Sequence, residues 1–347
     1  MSLPLIETTR TDASRIIEQA QSMIADGAIL RAIDLATRAN RDLRAPELER
    51  QLVAWRSAAF TALGPARPRS VWPPQYADPF PDIEGLPQID AGALTPEILG
   101  GAILHHGALW VRGLVSSAEA ERLRQSIDRT FDARDAFCAG APVEQTNPWY
   151  AQAATDDMLR SARGWVESGG GAWTADSPRV LFDLIELFDR SGVIDVITGV
   201  LGERPALSIG KSTLRRVPHT TNTDWHQDGA FLGAAVRTVN VWLSLSECGV
   251  DAPGLDVVAR RLPYVMQSGS HGAQFGWSVG PGMVGILEQG GADVVSPVFA
   301  AGDALLFDQL MLHRTGVRPG MTKSRWAVES WFFAPSSFPM DQAPLVL

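Results

Sequence analysis

Thr238-Val239-Asn240-Val241-Trp242-Leu243-Ser244-Leu245 alternates without a break: the odd positions are aliphatic and the even ones are Thr, Asn, Trp and Ser. Successive side chains of a strand point to opposite faces, so this is a strand with one packing face and one polar, aromatic face. Around it, from about residue 205 onward, short β-type segments are separated by Gly, Pro, Asn and Asp, the texture of a jelly roll or related barrel. In a barrel the polar face lines an interior where a polar ligand can sit. That expectation places Trp242 inside, with Asn240 and Ser244 as neighbours. The expected class is α+β with a mainly β core.

Upstream the texture is helical. Ile16, Ile17, Ala20, Met23 and Ile24 recur at helical spacing, Ile33, Leu35, Ala36 and Ala39 continue after a break at Gly27, and Glu47 to Leu63 completes a trio. Gly27, Ala32 and Ala39 resemble the small-residue pattern of a tetratricopeptide hairpin, but in one copy only. Residues 1–63 are therefore expected to form a helical appendage. Gly64 to Pro87 holds seven prolines and reads as an extended connection, which assigns 64–88 to a linker and 89–347 to the main domain. Thr95-Pro96-Glu97 starts a helix that leads into a strand at Ala108 to Val111, and Ser116 to Phe131 reads as a capped amphipathic helix. The region 132–175, rich in Gly, Ala and Trp, suggests long loops covering a site, and helix returns near 178–201.

The chain has 347 residues and a formal charge of -9, without a dense Lys/Arg block, which argues against nucleic acid as a partner. Two isolated cysteines, Cys138 and Cys248, make a thiolate metal site or disulfide framework unlikely chemistry here. The absence of a basic start followed by an apolar stretch, and of any long apolar run, leads to an expected cytoplasmic location with no membrane partner. A small-molecule substrate is expected. A protein partner, or self-association through the N-terminal helices, stays open.

The chemistry centres on Asp224-Trp225-His226-Gln227-Asp228-Gly229, where an imidazole and a carboxylate two residues apart share a face if the segment is extended. A third candidate, His313, is expected at the rim end of an apolar strand over 304–312, after the turn Ala301-Gly302-Asp303. Two neutral imidazoles and one carboxylate leave three open positions on an octahedral metal, the arrangement of non-haem iron(II) oxygenases, with zinc as the competing metal. Arg325, twelve residues later, sits in the strand-like Lys323 to Phe332 and can clamp a carboxylate with parallel hydrogen bonds.

The segments WHQDGAF (225–231) and GDALLFDQLMLHRTG (302–316), with the Arg325 strand and the opening LTPEILGGAILHHGALWVRGLVSSAEAERLRQSID (94–128), resemble the phytanoyl-CoA dioxygenase family over roughly residues 90–335. The resemblance implies a double-stranded β-helix holding iron(II) through His226, Asp228 and His313. It also implies 2-oxoglutarate as cosubstrate and dioxygen as oxidant, with Arg325, Thr315 and Trp242 contacting the cosubstrate. Hydroxylation with release of succinate and carbon dioxide is the implied outcome, and the presence of Asp228 argues against halogenation. The family's Pro-Gly-Ser-His is not in its usual place: a Ser-Gly-Ser-His occurs late, at 268–271, so His271 is expected to be a loop residue. Arg260 or Arg261 is expected to meet an anionic substrate group, Arg215 and Arg216 to be strand-edge charges, and His105, His106 and His219 to be structural or solvated. The loops 132–175 and 260–295 are expected to shape the substrate pocket. Two readings compete: a non-catalytic jelly-roll binding protein, and a zinc hydrolase.

Overall fold

The computed structural model describes residues 3–63, 72–153, 157–221, 223–339 and 341–347. Three helices, α1 (Leu3–Ala25), α2 (Ile29–Leu43) and α3 (Pro46–Ala58), make the expected trio. Gly27 turns the chain between the first two at φ 78, a left-handed conformation that favours glycine. Leu48 and Leu52 of α3 lie in one continuous core with Phe188, Ile197 and the strand residues Val241 and Phe332, so the trio packs directly on the rest of the chain. Of the proline-rich connection, residues 64–71 lie outside the described residues, and 72–87 carry neither helix nor strand.

β1 (Gln88–Asp90), α4 (Pro96–His106) and β2 (Ala108–Arg112) follow, with the Thr95 hydroxyl accepting the Ile98 N–H at 3.2 Å to cap α4. Ser116 and Glu119 form a reciprocal capping box at the start of α5 (Ser117–Cys138). The expected long loops over 132–175 are largely helical instead: α5 runs on to Cys138, and α6 (Val143–Thr146) and α7 (Asp157–Ser168) precede β3 (Gly171–Trp173). Asp132 to Cys138 contains no helix breaker before Gly140, a fact hidden when composition is averaged over the whole region. Arg163 of α7 is then locked by two bonds to buried Asp176, at 2.8 and 3.1 Å. α8 (Pro178–Arg190) and α9 (Val193–Leu201) match the helix expected there.

The remaining elements are β4 (Ala206–Ser208), β5 (Thr213–Val217), α10 (Gly229–Leu232), β6 (Thr238–Ser244), β7 (Gly254–Val258), α11 (Pro281–Gln289), β8 (Val294–Val295), β9 (Ala304–Phe307), β10 (His313–Gly316), β11 (Arg325–Phe333) and β12 (Pro344–Val346). The large sheet has the order β1-β2-β9-β6-β11-β4-β12, with β5 and β3 added beside β11, and a small sheet has the order β10-β7-β8. The chain passes from large to small sheet at β6–β7 and β9–β10, and returns at β8–β9 and β10–β11. Trp242, Leu305, Ala327 and Trp331 of the large sheet meet Leu255 and Val257 of the small one in a shared interior, whereas Val239, Val241 and Leu243 face the helical core. The alternation over 238–245 thus separates the interior of the sandwich from its helix-covered back. Among the described residues no helix is long and apolar enough to cross a membrane.

The helical trio is fixed by one buried ion pair. Glu49 is fully buried and accepts from Arg179 Nε at 2.7 Å, while Arg179 Nη2 donates to the Arg44 carbonyl at 2.6 Å. Burial pushes the Glu49 carboxyl above its ordinary range, and Arg179 works against that rise. Arg179→Met strands the carboxylate and is expected to lower stability by about 3–5 kcal/mol in urea unfolding, with Glu49→Gln in the same chain restoring part of the loss. Equal stability of Arg179→Met and wild type would contradict this account.

Candidate metal centre

The site is assembled where two chain segments meet edge to edge. His226 and His313 form an antiparallel bridge in which each backbone N–H donates to the other's carbonyl at 3.0 Å. Asp228 has already left the extended conformation, at φ -63 and ψ -20, and opens α10. The carboxylate therefore reaches the imidazoles through the start of a helical turn, not through the shared strand face expected from the HxD spacing. His313 also differs from expectation. β9 stops at Phe307, and His313 begins β10 in the other sheet. The break falls at Asp308, whose carboxylate accepts the Leu310 N–H at 2.9 Å and turns the chain across the sandwich.

The three side chains nevertheless converge: one ligand-type atom from each of His226, Asp228 and His313 lies within 4.8 Å of the others. His226 Nδ1 lies 3.0 Å from the Asp224 carbonyl and His313 Nδ1 3.0 Å from the Met311 carbonyl. A carbonyl only accepts, so each Nδ1 carries the proton and each Nε2 keeps a lone pair for a metal. His313 Nε2 is 3.7 Å from Asp228 Oδ2. Burial, reinforced by His226 and opposed by Asp228, pushes His313 down to about 4 and keeps it neutral. Burial alone would raise Asp228, but Lys211 and the two imidazoles outweigh it and hold the carboxyl below its ordinary range.

Lys211 is a residue that sequence reasoning missed. Its Nζ donates to Asp228 Oδ1 at 3.2 Å and lies 4.7 Å from the Phe231 ring centroid. It sits in the turn between β4 and β5, and no motif marks it. Two further partners frame the ligands. Buried Asp224 accepts from the Trp225 and Gln274 N–H groups at 3.1 and 2.7 Å and from the Ser278 hydroxyl at 2.6 Å. Buried Gln227 donates to the Tyr264 carbonyl at 3.1 Å and accepts the Met266 N–H at 2.7 Å.

Arg325 and Trp242 lie on interior-facing positions of the large sheet, and Thr315 shares the interior face of β10 with His313. Arg325 is buried, and its Nη1 crosses to the small sheet to donate to the Gly254 carbonyl at 2.8 Å. Its guanidinium lies 5.3 Å from the Trp242 ring centroid. Among the described residues no carboxylate comes within ion-pair distance of Arg325, and burial pushes it down to about 10. Among the described residues, Arg325 Nε and Trp242 Nε1 are buried donors without a hydrogen-bond partner. Orphaned donors beside a cation are what a bound carboxylate would satisfy. The Ser244 hydroxyl is used elsewhere, donating to the Ser246 carbonyl at 2.8 Å.

Arg215, expected at a strand edge, points inward instead, its Nε 3.8 Å from Glu329 Oε1, whereas Arg216 packs outward on Asp128 at 3.3 Å. The alternation of Thr213-Leu214-Arg215-Arg216 carries that distinction and was the available signal. Arg261 is neutralised by Asp308 at 2.6 Å and Arg260 donates to the Gly290 carbonyl at 3.0 Å. His271 lies exposed in a loop, as does His219, while His105 and His106 bond to the Tyr76 carbonyl and Asp78, each at 3.0 Å.

No model of a protein family matches the chain, and no curated protein sequence matches it. Among solved structures it is similar to the 2-oxoglutarate and 5-hydroxyectoine complex of EctD from S. alaskensis, with 16% identity, TM-score 0.48, and 76% of this chain and 87% of that one covered. It is also similar to SnoK, a non-heme alpha-ketoglutarate-dependent carbocyclase from nogalamycin biosynthesis, with 12% identity, TM-score 0.45 and coverage of 71% and 86%. AviO1 from Streptomyces viridochromogenes Tue57 aligns with 13% identity, TM-score 0.44 and coverage of 71% and 98%.

The neutral His313 gives the metal-free protein a pH dependence. Its folded value of about 4 lies below the ordinary 6.5, so the unfolded chain takes up a proton in that window and the folded chain does not. This contribution is complete above the ordinary value and is lost as pH falls towards about 4, amounting to roughly 3 kcal/mol. Urea unfolding between about pH 7 and about pH 4 is expected to show a loss larger by that amount in wild type than in His313→Gln. Parallel pH profiles for the two proteins would refute it.

Proposed function

We propose that this protein is an iron(II)- and 2-oxoglutarate-dependent oxygenase built on a double-stranded β-helix, with the phytanoyl-CoA dioxygenase family as its nearest motif resemblance. The observation that carries the reading is the pairing of two sites in one sandwich. His226, Asp228 and His313 converge on one point, and Arg325 lies buried in the same interior with no carboxylate at ion-pair distance among the described residues. A zinc hydrolase needs the first but has no use for the second, and a simple binding protein needs neither proton-locked imidazoles nor a cation held ready for a dicarboxylate.

In this reading His226, Asp228 and His313 hold the metal, leaving positions for cosubstrate and dioxygen. With 2-oxoglutarate and dioxygen, iron(II) supplies the oxidising chemistry, coupling release of succinate and carbon dioxide to hydroxylation of a substrate C–H bond. The protein's part is positional. The Asp224 and Met311 carbonyls fix the imidazole tautomers, and Lys211 orients the Asp228 carboxylate. Arg325 takes the distal carboxylate of the cosubstrate, with Thr315 and the Trp242 N–H beside it, and the sandwich walls exclude bulk water. Residues 89–347 form the catalytic unit, and residues 1–63 are a helical appendage packed directly on it. The substrate is a small organic molecule.

Anaerobic titration of iron(II)-loaded protein with 2-oxoglutarate is the test. A visible charge-transfer band is expected in wild type and its half-saturation should shift upward by roughly tenfold or more in Arg325→Ala, the loss of a charge-assisted pair. Asp228→Ala should lose iron affinity by more than roughly a hundredfold, exceeding what loss of an outer partner does. Bound iron with no band would favour the hydrolytic or non-catalytic reading.

A further inference from the structure

Two exposed aromatic rings, Phe231 and Phe275, are joined to the metal-ligand cluster through Trp277. Trp277 stands edge-on to the His226 ring, with centroids 5.9 Å apart. Phe275 stacks flat against Trp277 at 5.1 Å and 3°, and Phe231 meets Trp277 at 5.3 Å and 57°. Phe231 is 38% exposed and Phe275 42%, while Trp277 is half-buried. Large exposed aromatic surface on a folded chain is unfavourable unless something covers it, and a contiguous group marks a binding surface.

The wall is built rigidly. Phe275 and Trp277 lie on the loop between β7 and α11, and that loop is tied to the ligand segment. Asp224 accepts from Gln274 and Ser278, the residues on either side of the aromatic pair, and the Val279 N–H donates to the Trp225 carbonyl at 2.7 Å. Gln227 holds the beginning of the same loop at Tyr264 and Met266. The residues between and beside the metal ligands therefore position the rings. Phe231, three residues past Asp228, is fixed by Lys211 against its ring. Aromatic faces held this way lose little conformational freedom on binding a flat partner.

We propose that Phe231, Trp277 and Phe275 are the substrate-binding wall of the metal centre, and that the prime substrate presents a planar aromatic or conjugated face to it. The inference rests on the metal-centre reading above and adds the substrate class. Its probe is 2-naphthol, compared with decahydro-2-naphthol, which keeps the hydroxyl and the carbon skeleton but is puckered. The protein is loaded with Mn(II), whose own binding is first read by electron paramagnetic resonance without naphthol.

Equilibrium dialysis is expected to show 2-naphthol bound about three- to tenfold more tightly than its puckered analogue. Trp277→Leu and Phe275→Leu, which keep apolar bulk but lose the flat face, should each weaken naphthol by about threefold or more while leaving Mn(II) affinity intact. Naphthol proton relaxation should be enhanced by bound Mn(II), placing the ring beside the metal. Equal binding of the flat and puckered probes, unchanged naphthol binding in Trp277→Leu, or binding without relaxation enhancement in Mn(II)-loaded protein would each overturn the wall. Failure of Mn(II) to bind at all would be seen before naphthol is added. It would remove the metal reading and the substrate role of the wall with it.

Discussion

The backbone bridge between His226 and His313 is the constraint on which the rest of the site depends. Two reciprocal N–H to carbonyl bonds hold these residues at adjacent positions, and their rings lie 4.4 Å apart. One histidine follows β5 and the other follows β9, so the bridge also ties the ligand segment to the edge of the small sheet. A metal bound here would find two of its ligands already placed by main-chain bonds. Only Asp228 depends on a side-chain partner, Lys211, for its direction.

How much of this was legible differs by residue. The helical trio, the caps at Thr95 and Ser116, and the two-faced strand at 238–245 were readable because each rests on local spacing or local capping chemistry. The ligand residues were readable as types, but the geometry behind them was not. The HxD spacing suggests an extended pair, and the structure uses a bridge followed by a helical turn. The apolar run over 304–312 suggests one strand, and Asp308 breaks it to send the chain between sheets. Lys211, Asp224 and Gln227 were invisible as partners because their contacts join segments far apart in sequence, as Asp224 does with Ser278. Arg215 is a different case, since strict alternation within β5 places it inside and local reading could have found it.

The interior of the sandwich is polar in a divided way. At one end lie two imidazoles, His313 kept neutral by burial, and a carboxylate matched to Lys211. At the other lies Arg325, a buried cation whose only described polar contacts are the carbonyls of Pro253 and Gly254. A buried cation without an acid is costly, and a fold that evolved for stability alone would tend to replace it with an apolar side chain. The same argument applies to the orphaned Trp242 Nε1. Both donors belong to the large sheet, while His313 belongs to the small one, and a bound carboxylate accepting from them would satisfy both.

The segment from Asp224 to Asp228 then performs two tasks at once. Its side chains are divided: His226 and Asp228 converge with His313, while Asp224 and Gln227 reach back to hold the aromatic loop. Displacement of the loop would pull on the same short backbone stretch that sets the imidazole positions. The coupling runs through main-chain bonds and two buried side chains with no intervening flexible linker. The Trp277 loop and the His226 segment are thereby joined mechanically, and a group that moves one would move the other.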